Sequence, residues 1–332
     1  MKRILPFLVV VAISSCQNHT HNKTTGSIER IDPALDSIIT TTAPPEIIAE
    51  GLGWSEGPLW IENNKMLLFS DIPSNTIFKW TPEKGKELYL SPSGYTDTIQ
   101  RGGETGSNGL ILDKDGKLVL CQHGNRQMAR MDATIDKPAA KYITIAGQYK
   151  GKKFNSPNDA VYNSAGELFF TDPPYGLEKN MDDPKKEIPF QGVYKVKPNG
   201  EIILLADSIT RPNGIAFMPG QKTLLIANSD PDKPNWYAME LGSGDTVLST
   251  RLFYSAAGYD KNLKGSCDGM KVDSKGNVFA TGPGGVWIFN SQGKLLGKIK
   301  LDEASSNIAL SPDEKTMYIT NNMYVLKFIM RN

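Results

Sequence analysis

The sequence predicts an all-β fold, a six-bladed β-propeller. Three observations support this: a segment that recurs six times, a hairpin pattern inside each copy, and an oxygen-bearing side chain at the same point of every copy. The copies align on SEGPLW (55–60), SNGLIL (107–112), SPNDAV (156–161), RPNGIA (211–216), CDGMKV (267–272) and SSNIAL (305–310). That register stacks Glu56, Asn108, Asn158, Asn213, Asp268 and Asn307, spaced 52, 50, 55, 55 and 39 residues apart. Such a period suits one blade of four short strands.

Taken in order, the chain opens on Lys2 and Arg3, then the apolar stretch Ile4 to Ile13, then Ile13-Ser14-Ser15-Cys16. This reads as a secretory signal that is too short to span a bilayer, and its end resembles a bacterial lipobox with Cys16 as the lipidated residue. The expectation is a lipoprotein of the bacterial cell envelope, on the periplasmic or surface side, that meets the membrane only through its anchor. Residues 17–45 are polar and Thr-rich and read as a flexible tether. The propeller domain is expected over 46–332. Its first apolar stretch, Glu46 to Leu52, supplies the outer strand of the last blade, because the sixth repeat, Asn307 to Met330, has room for only three. Joining the termini in this way removes exposed sheet edges.

Within each repeat a short apolar run follows the anchor residue. A turn such as DKDGK, NSAGE, MPGQK, DSKGN or SPDEK comes next, and then a second apolar run. Two apolar runs about such a turn form a β-hairpin. The second strand returns the chain to the face it left, which places Asp71, His123, Asp172, Asn228, Pro283 and Asn322 beside the anchors. The long insertions Ser91 to Ser107, Pro174 to Gln191 and Ala256 to Cys267 gather on that same face, which is therefore the binding face.

Charge and cysteine content exclude several partners. Lys and Arg number 37 against 36 Asp and Glu, and no dense basic stripe is present, so no nucleic-acid partner is expected. With Cys16 assigned to lipid, Cys121 and Cys267 are expected as free, buried thiols. The sequence leaves the oligomeric state open and is compatible with a monomer.

The chemistry lies in the anchor ring. Glu56 and Asp268 form a carboxylate pair, and Asn158 and Asn213 add amide oxygens, giving a hard, all-oxygen donor set for one divalent cation. Calcium is expected first, with magnesium, manganese or zinc as alternatives. Four protein ligands leave coordination positions open for water and substrate.

The segments SEGPLW, SPNDAVYNSAGELFFTDPPYGL (156–177), RPNGIAF (211–217) and CDGMKVDSKGNVF (267–279) resemble the gluconolactonase branch of the family that includes regucalcin (senescence marker protein). Diisopropyl fluorophosphatase and the paraoxonases are its more distant members. The resemblance covers Ala49 to Phe328 and implies a six-bladed propeller that hydrolyses a sugar lactone with one divalent cation in its channel. It places the family's metal-binding Glu on Glu56, the two Asn on Asn158 and Asn213, and the Asp on Asp268, the set already read from the repeat.

Such a cation would polarise the lactone carbonyl for water attack. The proton acceptor is either His123, the one histidine in the expected propeller, or Asp268 itself. Asn108, Arg101, Tyr175 and Asp172 are the expected substrate contacts, with Asp172 also able to orient water or ligands from behind. Two other readings stay open on the same fold: a phosphotriesterase or arylesterase on the same site, and a non-catalytic propeller that binds carbohydrate or protein.

Overall fold

Short runs of Val, Ile, Leu and Phe punctuated by Gly, Asn and Asp turns leave the chain little choice but hairpins, and the computed structural model is built almost wholly from them. It describes residues 23–40 and 42–331. The proposed leader, with Cys16, lies outside the described residues.

Six antiparallel sheets, five of four strands and one of five, follow one another around a central channel. From the axis outward, blade one runs Ser55–Ile61, Met66–Asp71, Thr76–Thr81 and Gly85–Leu90. Blades two to five repeat that order, with inner strands Ser107–Leu112, Ala160–Tyr162, Pro212–Phe217 and Met270–Val272. Blade six has Ser305–Leu310, Thr316–Asn321 and Tyr324–Ile329 from the C-terminal end of the chain, and its outer strand is Glu46–Ala49. The N-terminal strand therefore closes the last blade, as the three-strand sixth repeat predicts. Its register with the neighbouring strand pairs Glu46 with Lys327 and Ile47 with Leu326.

The apolar core is divided into six clusters, one between each pair of adjacent blades. Leu68, Ile77, Leu110 and Leu120 fill the gap between blades one and two, while Phe279, Ile288, Ile319 and Phe328 fill the one between five and six. Large side chains pack sheet face against sheet face, and the axis is left to whatever the inner strands present to it. Cys121 and Cys267 are free thiols buried in two of these clusters, as expected.

The tether expectation fails from residue 23 onward. Ser27–Arg30 adds a fifth strand to blade five, pairing Ser27 with Lys300 and Arg30 with Gly297. The short 3-10 turn Pro33–Ser37 follows, capped by the Asp32 carboxylate accepting from Ala34 N at 2.8 Å. Leu35, Ile38 and Ile39 are buried with Val286, Leu296 and Ile299. The overall polarity of 17–45 hid three apolar side chains at positions 35, 38 and 39, spaced to share one face of a helical turn.

Candidate active site

The anchor residues share a local backbone device. In four blades the inner strand leaves its regular register where the anchor stands: between Glu56 and Leu59, Ser107 and Leu110, Pro212 and Ile215, and Ser305 and Asn307. In blades three and five the ladder begins only after the anchor, at Ala160 and Met270. A break in the ladder bends the strand and re-aims its side chain. All six anchors are thereby held at the axis, each at most 8 % exposed.

A circuit of contacts closes the ring. Ser70 Oγ donates to Asn108 O at 2.9 Å, Gly109 N to Asn158 O at 2.8 Å, and Thr171 Oγ1 to Asn213 O at 2.7 Å. Gly269 N donates to Ser306 O at 2.7 Å, and Ser306 Oγ donates to Ser55 O at 2.6 Å, which returns the circuit to blade one. Between blades four and five the backbones meet so closely that a Cβ at Gly214 would lie 2.2 Å from Asp268 O. Gly57 is equally obligatory, with φ of +50° and an imagined Cβ 2.1 Å from Asn108 O. The Gly after the anchor thus sets the diameter of the channel.

Behind the ring, strand ends hold the loops that lead into it. Asp71 Oδ1 accepts from Gly53 N at 2.9 Å and Trp54 N at 3.0 Å. Asp172 accepts from Asn155 N at 2.9 Å and Ser156 N at 2.7 Å, and Asn228 Oδ1 accepts from Arg211 N at 2.8 Å. In each case the clasped amides lie two or three residues before the anchor. Asp172 is wholly buried, so this positioning role replaces the substrate contact expected for it. Burial pushes its carboxyl up to about 7 despite those two amide donors.

The ring is strongly acidic. Burial is the main cause that raises Glu56, to about 8, and Asp268, well above the ordinary carboxylate range; repulsion from neighbouring carboxylates adds to both. Glu56 Oε2 accepts from Gly57 N at 2.9 Å, and Asn213 Nδ2 donates to Ser229 Oγ at 3.3 Å. Asp268 Oδ1 and Asn108 Oδ1 are buried without a hydrogen-bond partner. Sequence reasoning missed a third carboxylate, Asp159, beside Asn158. It stands where four of the other repeats carry Gly, and that exception was its signal. Its Oδ1 accepts from Ala160 N at 2.8 Å, and its Oδ2 faces Asn307 Nδ2 across the channel at 3.4 Å. Burial raises it too, opposed by the charge of Lys271.

This donor set fits a divalent cation. Among the described residues no three His, Cys, Asp or Glu side chains gather closely enough to hold a metal by themselves; a cation here would draw on the amide oxygens of Asn158 and Asn213 as well. Two buried carboxylates, one with an orphaned oxygen, are otherwise uncompensated.

At the rim, Tyr175 hydroxyl meets Ser229 Oγ close enough to Asp268 for that carboxylate's charge to act on it. Arg101 donates to Gly176 O and lies 5.2 Å from the Tyr95 ring, its Nε buried and unpartnered. His123 differs from expectation. It is fully buried, roofed by Glu104, whose Oε2 lies 2.9 Å from His123 Nδ1 at ion-pair distance but off hydrogen-bond alignment. Gly176 packs against it so tightly that a Cβ there would sit 2.9 Å from His123 Cβ. The imidazole therefore touches no solvent.

A propeller whose breaks in the inner strands aim carboxylates and amides into one end of its channel offers an all-oxygen donor set of the kind a divalent cation takes. The chain belongs to the family described as SMP-30/Gluconolactonase/LRE-like region, which it matches over residues 54–322. It is 36 % identical over 319 residues to a gluconolactonase of Zymomonas mobilis, covering 94 % of this chain and 88 % of that protein. It is 23 % identical over 277 residues to the pentonolactonase XacC of Haloferax volcanii, covering 80 % of each. The solved structure of a gluconolactonase from Xanthomonas campestris superposes with a TM-score of 0.78 at 26 % identity, over 93 % of this chain and 98 % of that one.

Proposed function

We propose that this protein hydrolyses a sugar lactone, using one divalent cation held by Glu56, Asn158, Asn213 and Asp268, with calcium the first choice. The observation that carries the reading is the buried Glu56 and Asp268 pair, with Asp268 Oδ1 orphaned, at the axis of a propeller of the gluconolactonase family. Near full-length similarity to the Zymomonas mobilis gluconolactonase supports the lactone over other esters.

When bound, the cation would polarise the lactone carbonyl and stabilise the negative charge that develops on its oxygen. The rest of the work falls to the chain. Asp71, Asp172 and Asn228 hold the loops before three of the ring residues, so the donor oxygens are fixed before substrate arrives. Asn108, with its unpartnered Oδ1, and the Tyr175 hydroxyl would orient sugar hydroxyls, with Arg101, held on Gly176 O, beside them. The water's proton would leave to Asp268 or to a carboxylate at the mouth, since the His123 imidazole has no exposed surface.

A pH-indicator screen of aldonolactones, alkyl lactones and phosphotriesters, run with and without chelator, tests this reading. Chelator-sensitive opening of aldonolactones is expected. Turnover of phosphotriesters alone, or full activity in metal-free protein, would overturn it.

A further inference from the structure

The loop that roofs His123 is built with more constraint than a covering needs. Gly106 N donates to Ile72 O at 3.0 Å at one end of it. At the other, Arg101 donates to Gly176 O and Gly102 N donates to Glu178 Oε1 at 3.1 Å. Gly103 takes φ of +78°, with an imagined Cβ only 3.1 Å from Glu178 N. Between these fixed points stand Thr105, its carbonyl packed 2.4 Å from an imagined Cβ on Gly124, and then Glu104. Its side chain is 38 % exposed while the imidazole beneath it has no exposure at all. Among the described residues, His123 is the one side chain at bonding distance of that carboxylate.

The other acidic groups of this face have assigned partners. Glu56 and Asp268 belong to the cation set, Asp159 faces Asn307, and Asp71 and Asp172 clasp backbone amides. Glu104 combines solvent access with a place directly against the buried His123. It is also near enough to the ring for its charge to raise both Glu56 and Asp268.

We propose that Glu104 is the general base of the lactone hydrolysis and that His123 is its positioning residue, a buried imidazole that bears on the carboxylate through the 2.9 Å approach of its Nδ1. The assignment rests on the lactonase reading above. A lone pair on the water oxygen forms the new bond to the carbonyl carbon, and the water's proton passes to Glu104 as the carbonyl π electrons move to oxygen. Collapse of that intermediate re-forms the carbonyl and breaks the ring C–O bond. Glu104 returns the proton to the departing ring oxygen, so lactone and water become one hydroxy acid. A base aimed by a third group is a recurring arrangement where a weak nucleophile has to be activated.

The test uses the intact protein and three readouts. Glu104→Gln should lower kcat by ~10²- to 10⁴-fold with KM within a few-fold of the parent. Calcium affinity, measured by titration calorimetry, should be unchanged. Added formate should restore part of the activity of Glu104→Ala, because a free carboxylate can enter the space left open at an exposed side chain. Combining His123→Asn with Glu104→Gln should cost no more than Glu104→Gln alone, since the two act as a unit. An unchanged kcat in Glu104→Gln, an absence of formate rescue, or a fall in calcium affinity that tracks the loss of activity would overturn the assignment, the last by making Glu104 a ligand. If the parent protein opens no lactone, the functional reading itself fails; if the parent is active and Glu104→Gln equally so, only this inference does.

Discussion

Asp268 carries the sharpest consequence of the site, because the carboxylate proposed to serve the cation should harm the fold without it. Its buried carboxylate repels Glu56 and Asp159 and leaves one oxygen without a hydrogen bond. Asp268→Asn should therefore lower kcat by at least ~10²-fold through loss of charge stabilisation at the oxyanion, yet raise the melting temperature of the chelated protein. A carboxylate kept for structure would give the opposite sign in the melting experiment, and that result would remove Asp268 from the ligand set. Asn307 stands at an equivalent position but donates to Asp159, so Asn307→Ala should cost only the ~10- to 100-fold in cation affinity typical of a group one step behind the ligands. Six-fold stacking in the sequence was enough to find all six anchors, because the backbone break that aims them recurs with them. It left Asp159 unread although the break in the Gly pattern marked that position, and it gave no account of the Glu104 contact, which depends on a distance between residues 19 apart in the chain.

The elements most legible in the sequence were those whose pattern repeats: hairpins, returning strand ends and the Glu46–Ala49 closure. Ser27–Arg30 was not legible, since an outermost strand has one edge in solvent and can be polar, and its register depends on blade five rather than on its own residues. What docks this arm is Leu35, with no exposed surface, seated against Gly297, where a Cβ would lie 2.6 Å from its Cδ2. Leu35→Ala should destabilise the protein by ~2–5 kcal/mol, the usual result of emptying a buried leucine site. Because the arm lies on the outer edge of its blade, kcat at permissive temperature should hold while the denaturant midpoint falls. A midpoint equal to the parent's would mean that the arm does not dock.

At the scale of the whole molecule, dividing the apolar core among six interblade clusters leaves the axis free to collect charge. A cation bound at that axis would be coupled to the fold. Glu56, Asp159 and Asp268 all titrate above their ordinary range in the folded chain, chiefly through burial, and so does Asp172 behind them. Between the unfolded values near ~4 and the raised folded ones, the native state holds protons that the unfolded chain has released. The stability contribution of each group is then present at low pH and lost as pH rises through that window, which extends to about 7 for Asp172 and about 8 for Glu56. The chelated protein should accordingly melt at progressively lower temperature from about pH 5 to about pH 8, by up to ~1.4 kcal/mol per pH unit for each such carboxyl. Calcium at ~100 times its Kd should add ~2.7 kcal/mol. It should also flatten the slope owed to Glu56 and Asp268, leaving the part owed to Asp172, which lies behind the ring. Thermal melts across that range, with chelator and with calcium, measure both effects together. Parallel curves, offset or not, would mean that the cation sits somewhere other than on this pair of carboxylates.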